Sequence, residues 1–594
     1  MRLRIALGLL AALWLLPPLL PLAQWPLKHF HREWLAAALA LAACVLWLPS
    51  RGQPIVLPRS ALFLLALALY VPLAGLLAQT PYAQPAVGYA LYLGWAGLLL
   101  IAAAGIRERL GTDTVVCAIC WAAFAGASLA SVVGVLQAYG VPAWMDGLVV
   151  QDRRMTVFGN LQHASYFADQ LLIGVVAGAW LFADRRLPGW GLTAGLALIG
   201  LALALSGSRA VMLVLVLLPL SAAILWRASA RRSDPAPAHA GDRRDDPIPG
   251  RLTLATGAAL ILLFMWEWGT RTLPMLALRA RHKSTLARLP RDGAGMEHRW
   301  PLWEKSLDIF ADAPWFGAGT DAFPWHYFRL LESRPPIAYT IHSHNLFTEF
   351  LVCFGLIGTG LLVAMLAGFA WRHRAHLLDA SWWPLSAMLA ILCLRALLDL
   401  NLWFAHLLAL FVVLMGVSDQ GGVRVHGRFV ASAFAAAVAI GAVVLLVTMR
   451  DFRGMAIAGT SARPTQLMAA LESARGNPFF TALVDSIRAD AMQVDPAGNR
   501  SQLVLNSRSM NWRPTPRMVW RQSALLAANG YPEPACRLLA RAWQLYPRSA
   551  PGARRLLARH ADMPAFATLL GQFEALQAGA DATSLCAAGA TVRN

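Results

Sequence analysis

GWGLTAGLALIGLALALSGSRAVMLVLVLLPLSAAILWR, residues 189–227, decides the fold class. Two apolar runs meet at Ser206-Gly207-Ser208-Arg209, and each comes close to the roughly 20 apolar residues that carry a helix across a bilayer. Working outward, such runs recur near 4–23, 33–49, 60–79, 87–105, 113–139, 164–183, 189–206, 210–226, 252–268, 346–370, 382–398, 402–418 and 429–448. The chain has 594 residues, 58% hydrophobic and 14% charged, against about 25% charged in a soluble domain. The expected fold is therefore an all-α polytopic membrane protein of about 13 transmembrane helices. The first run, Ile5 to Leu22, follows Arg2 and Arg4 as a signal peptide would. It has no small-residue cleavage site and further spans follow at once, so it reads as the first transmembrane helix.

The net charge of +19 is spread over short loops, with no basic helix or aromatic platform, so nucleic acid is not the expected partner. Basic residues follow the positive-inside rule instead. With the N-terminus cytoplasmic, the inner segments hold Arg2, Arg4, Arg107, Arg109, Arg185, Arg186, Arg372, Arg374, Arg424 and Arg428, among others. The short outer loops hold Lys28, Arg32, Arg153, Arg154 and Arg209. An odd number of spans then places the C-terminal part in the periplasm of a bacterial inner-membrane protein. Of the seven cysteines, Cys117 and Cys120 form a C-x-x-C inside an apolar run with no partner pair, which supports neither zinc nor redox chemistry. Cys536 and Cys586 are available to pair if their segment is periplasmic; the spacing alone leaves the question open.

Four segments follow from this reading: 1–268 with the N-terminal spans, 269–345 as a large outer loop, 346–450 with the last spans, and 451–594 as a helical periplasmic domain. The loop is too long to be a connector alone. In ALLAANGYPEPACRLLARAWQLYP, Gly530, Ala535, Ala542 and Pro547 have the offsets of a tetratricopeptide-type helical pair. A small helical domain without repeats fits equally well.

Polar groups at the outer ends of spans carry the functional signal, because they are costly there. In YTIHSHNLFTEFLVCFGLIG, residues 339–358, His342 and His344 stand where the loop meets a helix, with Ser343 or His344 as its cap and Glu349 about a turn inside. On a helix, residues two apart point to different sides, which argues against a metal pair. A histidine suits a general base because its ordinary pKa lies near neutrality. It also suits a plain interface anchor. In EHRWPLWEKSLDIFADAPWFGAGTDAF, residues 297–323, Arg299, Trp303, Ser306 and Phe310 have helical spacing. Ala313-Pro314 then ends the helix, and Gly317 and Gly319 supply a turn. Arg299 reads as a phosphate ligand or as an interfacial arginine. Trp300, Trp303, Trp315 and Trp325 read as interface anchors or as sugar platforms. Arg209 opens a helix on the outer side after the SGS turn, a place for an anion or for a lipid headgroup. In DRRMTVFGNLQHASYFADQLL, residues 152–172, Arg153 and Arg154 precede a helix carrying His163 and Asp169.

In this order, FGNLQHASYFADQ, SGSRAVML, HRWPLWEKSLDIFADAPWFGAGTDAF and SHNLFTEFLVCFGLIG resemble the O-antigen ligase and polymerase superfamily. LLDLNLWFAHLLALFVVLMG, residues 397–416, followed by a helical tail, is most similar to bacterial protein O-oligosaccharyltransferases. The resemblance implies a GT-C-type membrane glycosyltransferase that moves a glycan from undecaprenyl diphosphate to an acceptor hydroxyl. It implies inversion at the anomeric carbon and neither metal nor cofactor. Its motif histidine falls on His344 and its motif arginines on Arg209, Arg299 and Arg154. Supporting positions are His342, Asn345, Glu349, Arg395 and Asp399. The chain departs from the protein-glycosylating pattern at His163, Ala164, Ser165 and Tyr166, where Gln-Pro-Asn-His is common. Asp399, Asn401 and Arg395 stand where Glu, Pro and His are usual. The implied acceptor is a periplasmic protein such as a pilin; lipid A–core, as for an O-antigen ligase, and a growing glycan, as for an O-antigen polymerase, are the alternatives. A lipid-linked glycan transporter is the reading from another class, and it predicts internal repeats and charges in mid-membrane.

Overall fold

A computed structural model describes residues 1–48, 54–78, 80–151, 157–232, 248–273, 299–331, 340–425, 428–461 and 463–588. The helices begin with α1 (Arg2–Ala12), α2 (Leu16–Leu19), α3 (Phe30–Trp47), α4 (Arg59–Leu77), α5 (Gln84–Leu110), α6 (Thr112–Tyr139), α7 (Ala164–Ala183) and α8 (Gly189–Ser206). There follow α9 (Ala210–Arg232), α10 (Ile248–Thr272), α11 (Trp300–Asp312), α12 (Phe323–Leu330), α13 (Leu346–His373), α14 (Trp383–Ala396), α15 (Ala405–Ser418) and α16 (Arg428–Thr460). The tail holds α17 (Pro464–Ala474), α18 (Thr481–Ala491), α19 (Arg500–Trp512), α20 (Pro516–Ala528), α21 (Pro532–Leu545), α22 (Ala550–Ala558), α23 (Pro564–Gln577) and α24 (Ala582–Ala588). Among the described residues the single sheet is an antiparallel pair, β1 (Ile55–Pro58) and β2 (Gly422–Val425).

The protein is an all-α polytopic membrane protein. Ten of the described helices, α3–α10, α13 and α16, are long and apolar enough to cross a bilayer. Three of the thirteen expected spans come out shorter. The run near 4–23 breaks into α1 and α2 because Pro17 and Pro18 cannot continue a helix ladder. The freed carbonyl of Trp14 accepts from Gln170 Nε2 at 2.8 Å. The helices α14 and α15 have 14 residues each, a rise of about 21 Å, short of the ~30 Å hydrocarbon core. Irregular backbone between two such helices is tolerated at membrane depth only where protein buries it, and Leu400, Asn401 and Leu402 are buried.

The chain divides into two compact units. The first comprises Met1–Leu67, Leu91–Gly295 and Leu361–Met449. Its central helix is α7, buried at every residue from Tyr166 to Leu181. The small residues Gly174 and Gly178 bring α7 close to Ala127 and Phe124 of α6. Beside β2, Arg372 donates to both carboxylate oxygens of Asp419, at 3.0 and 2.9 Å, and the Ser60 hydroxyl donates to the same carboxylate at 2.7 Å.

The second unit comprises Ala68–Ala90, Met296–Gly360 and Arg450–Asn594. Its tail is wholly helical among the described residues. The helices α20 and α21 meet at Gly530, whose φ of 83° suits glycine, and the Ser523 hydroxyl donates to the Ala535 carbonyl across the pair. Cys536 and Cys586 form a disulfide. Earlier in the unit, α13 is broken at Gly355, at φ 62° and ψ −161°. A Cβ there would stand 2.5 Å from the Trp315 backbone. Glycine at both Gly317 and Gly355 lets the loop after α11 lie against the backbone of α13: Ala318 N–H donates to Val352 O at 2.7 Å and Leu356 N–H to Pro314 O at 2.8 Å. Tyr70 donates to the Phe354 carbonyl that the break releases.

Candidate functional site

In the first unit, the site begins with the FGN segment before α7. Gln137 ties it from α6: Nε2 donates to Val150 O and Gly159 O, and Oε1 accepts from Phe158 N–H and Gly159 N–H. Asn160 ties it from within, donating to Leu19 O and Leu148 O and accepting from Val150 N–H. This fixed loop delivers His163 to the start of α7, where its ring stacks on Tyr166 at 4.0 Å. Asp169 follows one turn later and pairs with Arg395 Nε of α14 at 3.0 Å. Arg395 Nη2 lies 3.7 Å from Asp399 Oδ2. Arg395, Asp169 and Asp399 are all buried, so one guanidinium stands between two carboxylates, away from water.

A second pair, of a buried histidine and a half-buried glutamate, adjoins this group in the same unit. His406, in the first turn of α15, lies 2.8 Å through Nδ1 from Glu33 Oε1 of α3, and its backbone N–H donates to Glu33 Oε2. Arg32, 2% exposed, donates to Leu161 O at 2.7 Å and to His29 Nδ1 at 2.8 Å. Burial, and then the Arg32 charge, lower the His29 pKa to about 4, so the ring is neutral and accepts at Nδ1. The ring of Phe404, between α14 and α15, packs on His29 and Tyr166 at 5.7 and 4.9 Å. Arg395 Nη2, Asn401 Oδ1 and His406 Nε2, all buried in this region, have no hydrogen-bond partner among the described residues. Buried polar groups are normally satisfied, so these are groups with bonds still to make. The sequence reading found Asp169, Arg395, Asp399 and Asn401 but missed His29, Arg32, Glu33 and His406. The signal was present: titratable residues at one end of a span, and a histidine inside an apolar run.

Arg209 stands in the same unit at the α8–α9 turn. Gly207 is left-handed at φ 66°, and the Ser208 N–H donates to the Ser206 hydroxyl, which shapes a tight bend with Arg209 at the start of α9. Arg154 lies outside the described residues.

In the second unit, residues 340–349 form a closed turn. The helix cap is neither Ser343 nor His344: Asn345 Oδ1 accepts from Phe347 N–H at 2.8 Å and Thr348 N–H at 3.2 Å, the pattern of an N-cap. Glu349, in the first turns of the helix, reaches back past the cap to accept from Ser343 N–H at 2.7 Å. Thr348 and Ser343 hydroxyls join at 2.8 Å. The expectation that His342 and His344 point apart is corrected. They precede the helix, and His344 is left-handed at φ 57°, which turns the two rings to 4.2 Å from each other, edge to face. A non-glycine residue held there is strained by about 1–3 kcal/mol, a cost that clusters at functional sites. Arg299, also in this unit, occupies the N-cap position of α11, where the helix dipole and the first-turn N–H groups favour an anion.

Residues 194–363 match the O-antigen ligase family, and residues 383–560 match the C-terminal region of the virulence factor membrane-bound polymerases. The chain belongs to the O-antigen ligase and polymerase superfamily. The first match spans the SGSR turn, Arg299 and the Ser343-His344-Asn345 turn; the second spans Arg395, Asp399, His406 and most of the helical tail. As a superfamily member it is a multi-pass membrane protein of glycan transfer or polymerisation, with a lipid-linked glycan and an acceptor as its partners. No curated protein sequence matches the chain.

Proposed function

We propose that the chain is a protein O-oligosaccharyltransferase of the bacterial inner membrane, transferring a glycan from undecaprenyl diphosphate to Ser or Thr hydroxyls of periplasmic proteins. The observation that carries this reading is the Ser343-His344-Asn345 turn, which holds one imidazole in a strained conformation through the Glu349, Asn345 and Thr348 bonds. His344 takes the proton of the acceptor hydroxyl as its oxygen attacks the anomeric carbon. The bond from that carbon to the diphosphate oxygen breaks, and its electron pair leaves with the diphosphate. Arg209, Arg299 and Arg154 hold that leaving group, and fixed guanidinium groups stabilise its growing charge more in the transition state than in the ground state. A single displacement of this kind inverts the anomeric centre and needs no metal. His342 and Asn345 support the base, and Arg395 and Asp399 order the donor end of the first unit. The Cys536–Cys586 disulfide suits an oxidising compartment, in line with a periplasmic tail and a cytoplasmic N-terminus.

A second reading keeps the same chemistry and changes the acceptor to lipid A–core or to a growing O-antigen chain; the descriptions of the two matching families favour it. Co-expression with a lipid-linked glycan pathway, a pilin and core lipid separates them. Mass spectrometry of the pilin is expected to show the glycan on Ser or Thr. Glycan on core lipid alone moves the chain to the second reading, and no modified acceptor overturns both.

A further inference from the structure

We propose that a cavity of about 210 Å³ in the second unit, walled by Trp325, Trp512, Thr320, Asp321, His326 and Asn511, binds one sugar ring of the transferred glycan. The inference rests on the glycan-transfer reading and adds a subsite to it. The volume is below the roughly 300–1,000 Å³ of sites for drug-sized ligands, so a single ring fits and a longer molecule extends outside. The walls pair two indoles with short polar groups. Indoles receive the apolar C–H face of a pyranose, and the polar groups meet its hydroxyls, each of which both donates and accepts.

The polar groups are held ready. Asp321 is left-handed at φ 56° and is fixed by the Tyr89 hydroxyl at 2.8 Å and the Trp512 indole N–H at 3.2 Å. Two donors leave the carboxylate with further acceptor positions. Thr320 is 5% exposed, and its hydroxyl has no hydrogen-bond partner among the described residues. Burial, and then the nearby Arg329 charge, lower the His326 pKa, so its ring is neutral and both donates and accepts. An anion is disfavoured by the Asp321 carboxylate. An aliphatic side chain would desolvate the Thr320 hydroxyl and the remaining acceptor positions of Asp321 without supplying them a bond, which is unfavourable.

The cavity wall is also joined to the His344 turn. Ala318 and Gly319, next to Thr320, donate to Val352 O and Cys353 O of α13. One turn before these lies Glu349, which holds the Ser343 N–H. A ring bound by Trp325 is thus positioned by the same stretch of backbone that positions His344.

The test uses the full-length protein in lipid nanodiscs and saturation-transfer NMR with free glucose, galactose, N-acetylglucosamine and N-acetylgalactosamine. At least one sugar is expected to bind saturably with a millimolar Kd. Trp325→Ala weakens it about tenfold or more. Thr320→Val, which keeps the shape and removes only the hydroxyl, weakens it several-fold, and His344→Ala binds as wild type. Wild-type protein that transfers glycan but binds none of the four sugars overturns the subsite and leaves the proposed function standing. Equal binding by wild type, Trp325→Ala and Thr320→Val overturns it too, as does binding of a Ser/Thr-rich acceptor peptide in the cavity in place of any sugar. Absence of glycan transfer by the wild type is the separate failure of the proposed function.

Discussion

Asp419 follows the last residue of α15 and His406 lies in its first turn, and the buried charges around these two positions are arranged differently. At Asp419, one carboxylate meets one guanidinium through two bonds, Ser60 supplies a hydroxyl and a backbone N–H, and Gly421 N–H adds another. Both carboxylate oxygens are occupied and the charges balance. At the other end, Arg395 stands between Asp169 and Asp399, and Glu33 is shared by Arg32 and His406. There the guanidinium Nη2, the Asn401 carbonyl oxygen and the His406 Nε2 have bonds unmade. A closed pair fixes the fold. A partly satisfied buried network is costly, and a structure that keeps one has donors and acceptors to offer a ligand.

The largest expected effect tests the closed end. Asp419→Asn leaves the half-buried Arg372 without its opposite charge and is expected to cost about 1.5–3 kcal/mol of stability, read as a lower thermal midpoint in detergent, with transfer per folded molecule unchanged. Its pH dependence follows. Burial pushes the Asp419 pKa up, but the Arg372 and Ser60 bonds outweigh this and hold it below the usual carboxylate value. A depressed carboxylate stabilises the fold above its unfolded pKa of about 3.9, and that stability is lost as pH falls through the lower folded value. The variant lacks this acid-dependent loss.

Asp399→Asn tests the open end with the opposite signature. The amide oxygen still accepts from Leu400 N–H, so stability is expected to change by no more than about 1 kcal/mol. Glycan transfer falls by up to about 10²-fold because the donor is misplaced. Equal losses of stability in Asp419→Asn and Asp399→Asn would erase the distinction. A smaller effect comes from His29. Its folded pKa of about 4 lies below the ordinary 6.5, so the unfolded chain binds a proton that the folded protein refuses between these values. Stability is full above about pH 6.5 and declines as pH falls toward 4. His29→Gln should flatten that slope in melts run from pH 7.5 to 5; an unchanged slope would show that His29 is not held neutral.

The apolar spans were legible because hydrophobic length is a local property. The runs near 164–183 and 189–206 emerge as α7 (Ala164–Ala183) and α8 (Gly189–Ser206). The short helices were less so, since a run of apolar residues around Pro17 or Asn401 has the composition of a span while its backbone cannot complete one. SHN, SGSR and Arg299 stood out as polar groups beside apolar helices. The geometry of the His344 turn did not, because Asn345 and Glu349 compete with Ser343 and His344 for the same capping role and only the folded backbone selects between them. The break at Gly355 was not legible: it is one of three glycines, with Gly358 and Gly360, in an apolar helix, and it stands apart only when the Trp315 backbone occupies the place of its Cβ. Glu33 and His406 lie far apart in sequence, and each alone resembles a span end.

The most direct test is single-turnover transfer from a purified lipid-diphosphate glycan to an acceptor protein, comparing wild type with His344→Ala at equal donor occupancy. The account predicts a loss of about 10²- to 10⁴-fold in the transfer step, with an unchanged thermal midpoint. A variant that transfers at close to the wild-type rate would contradict it.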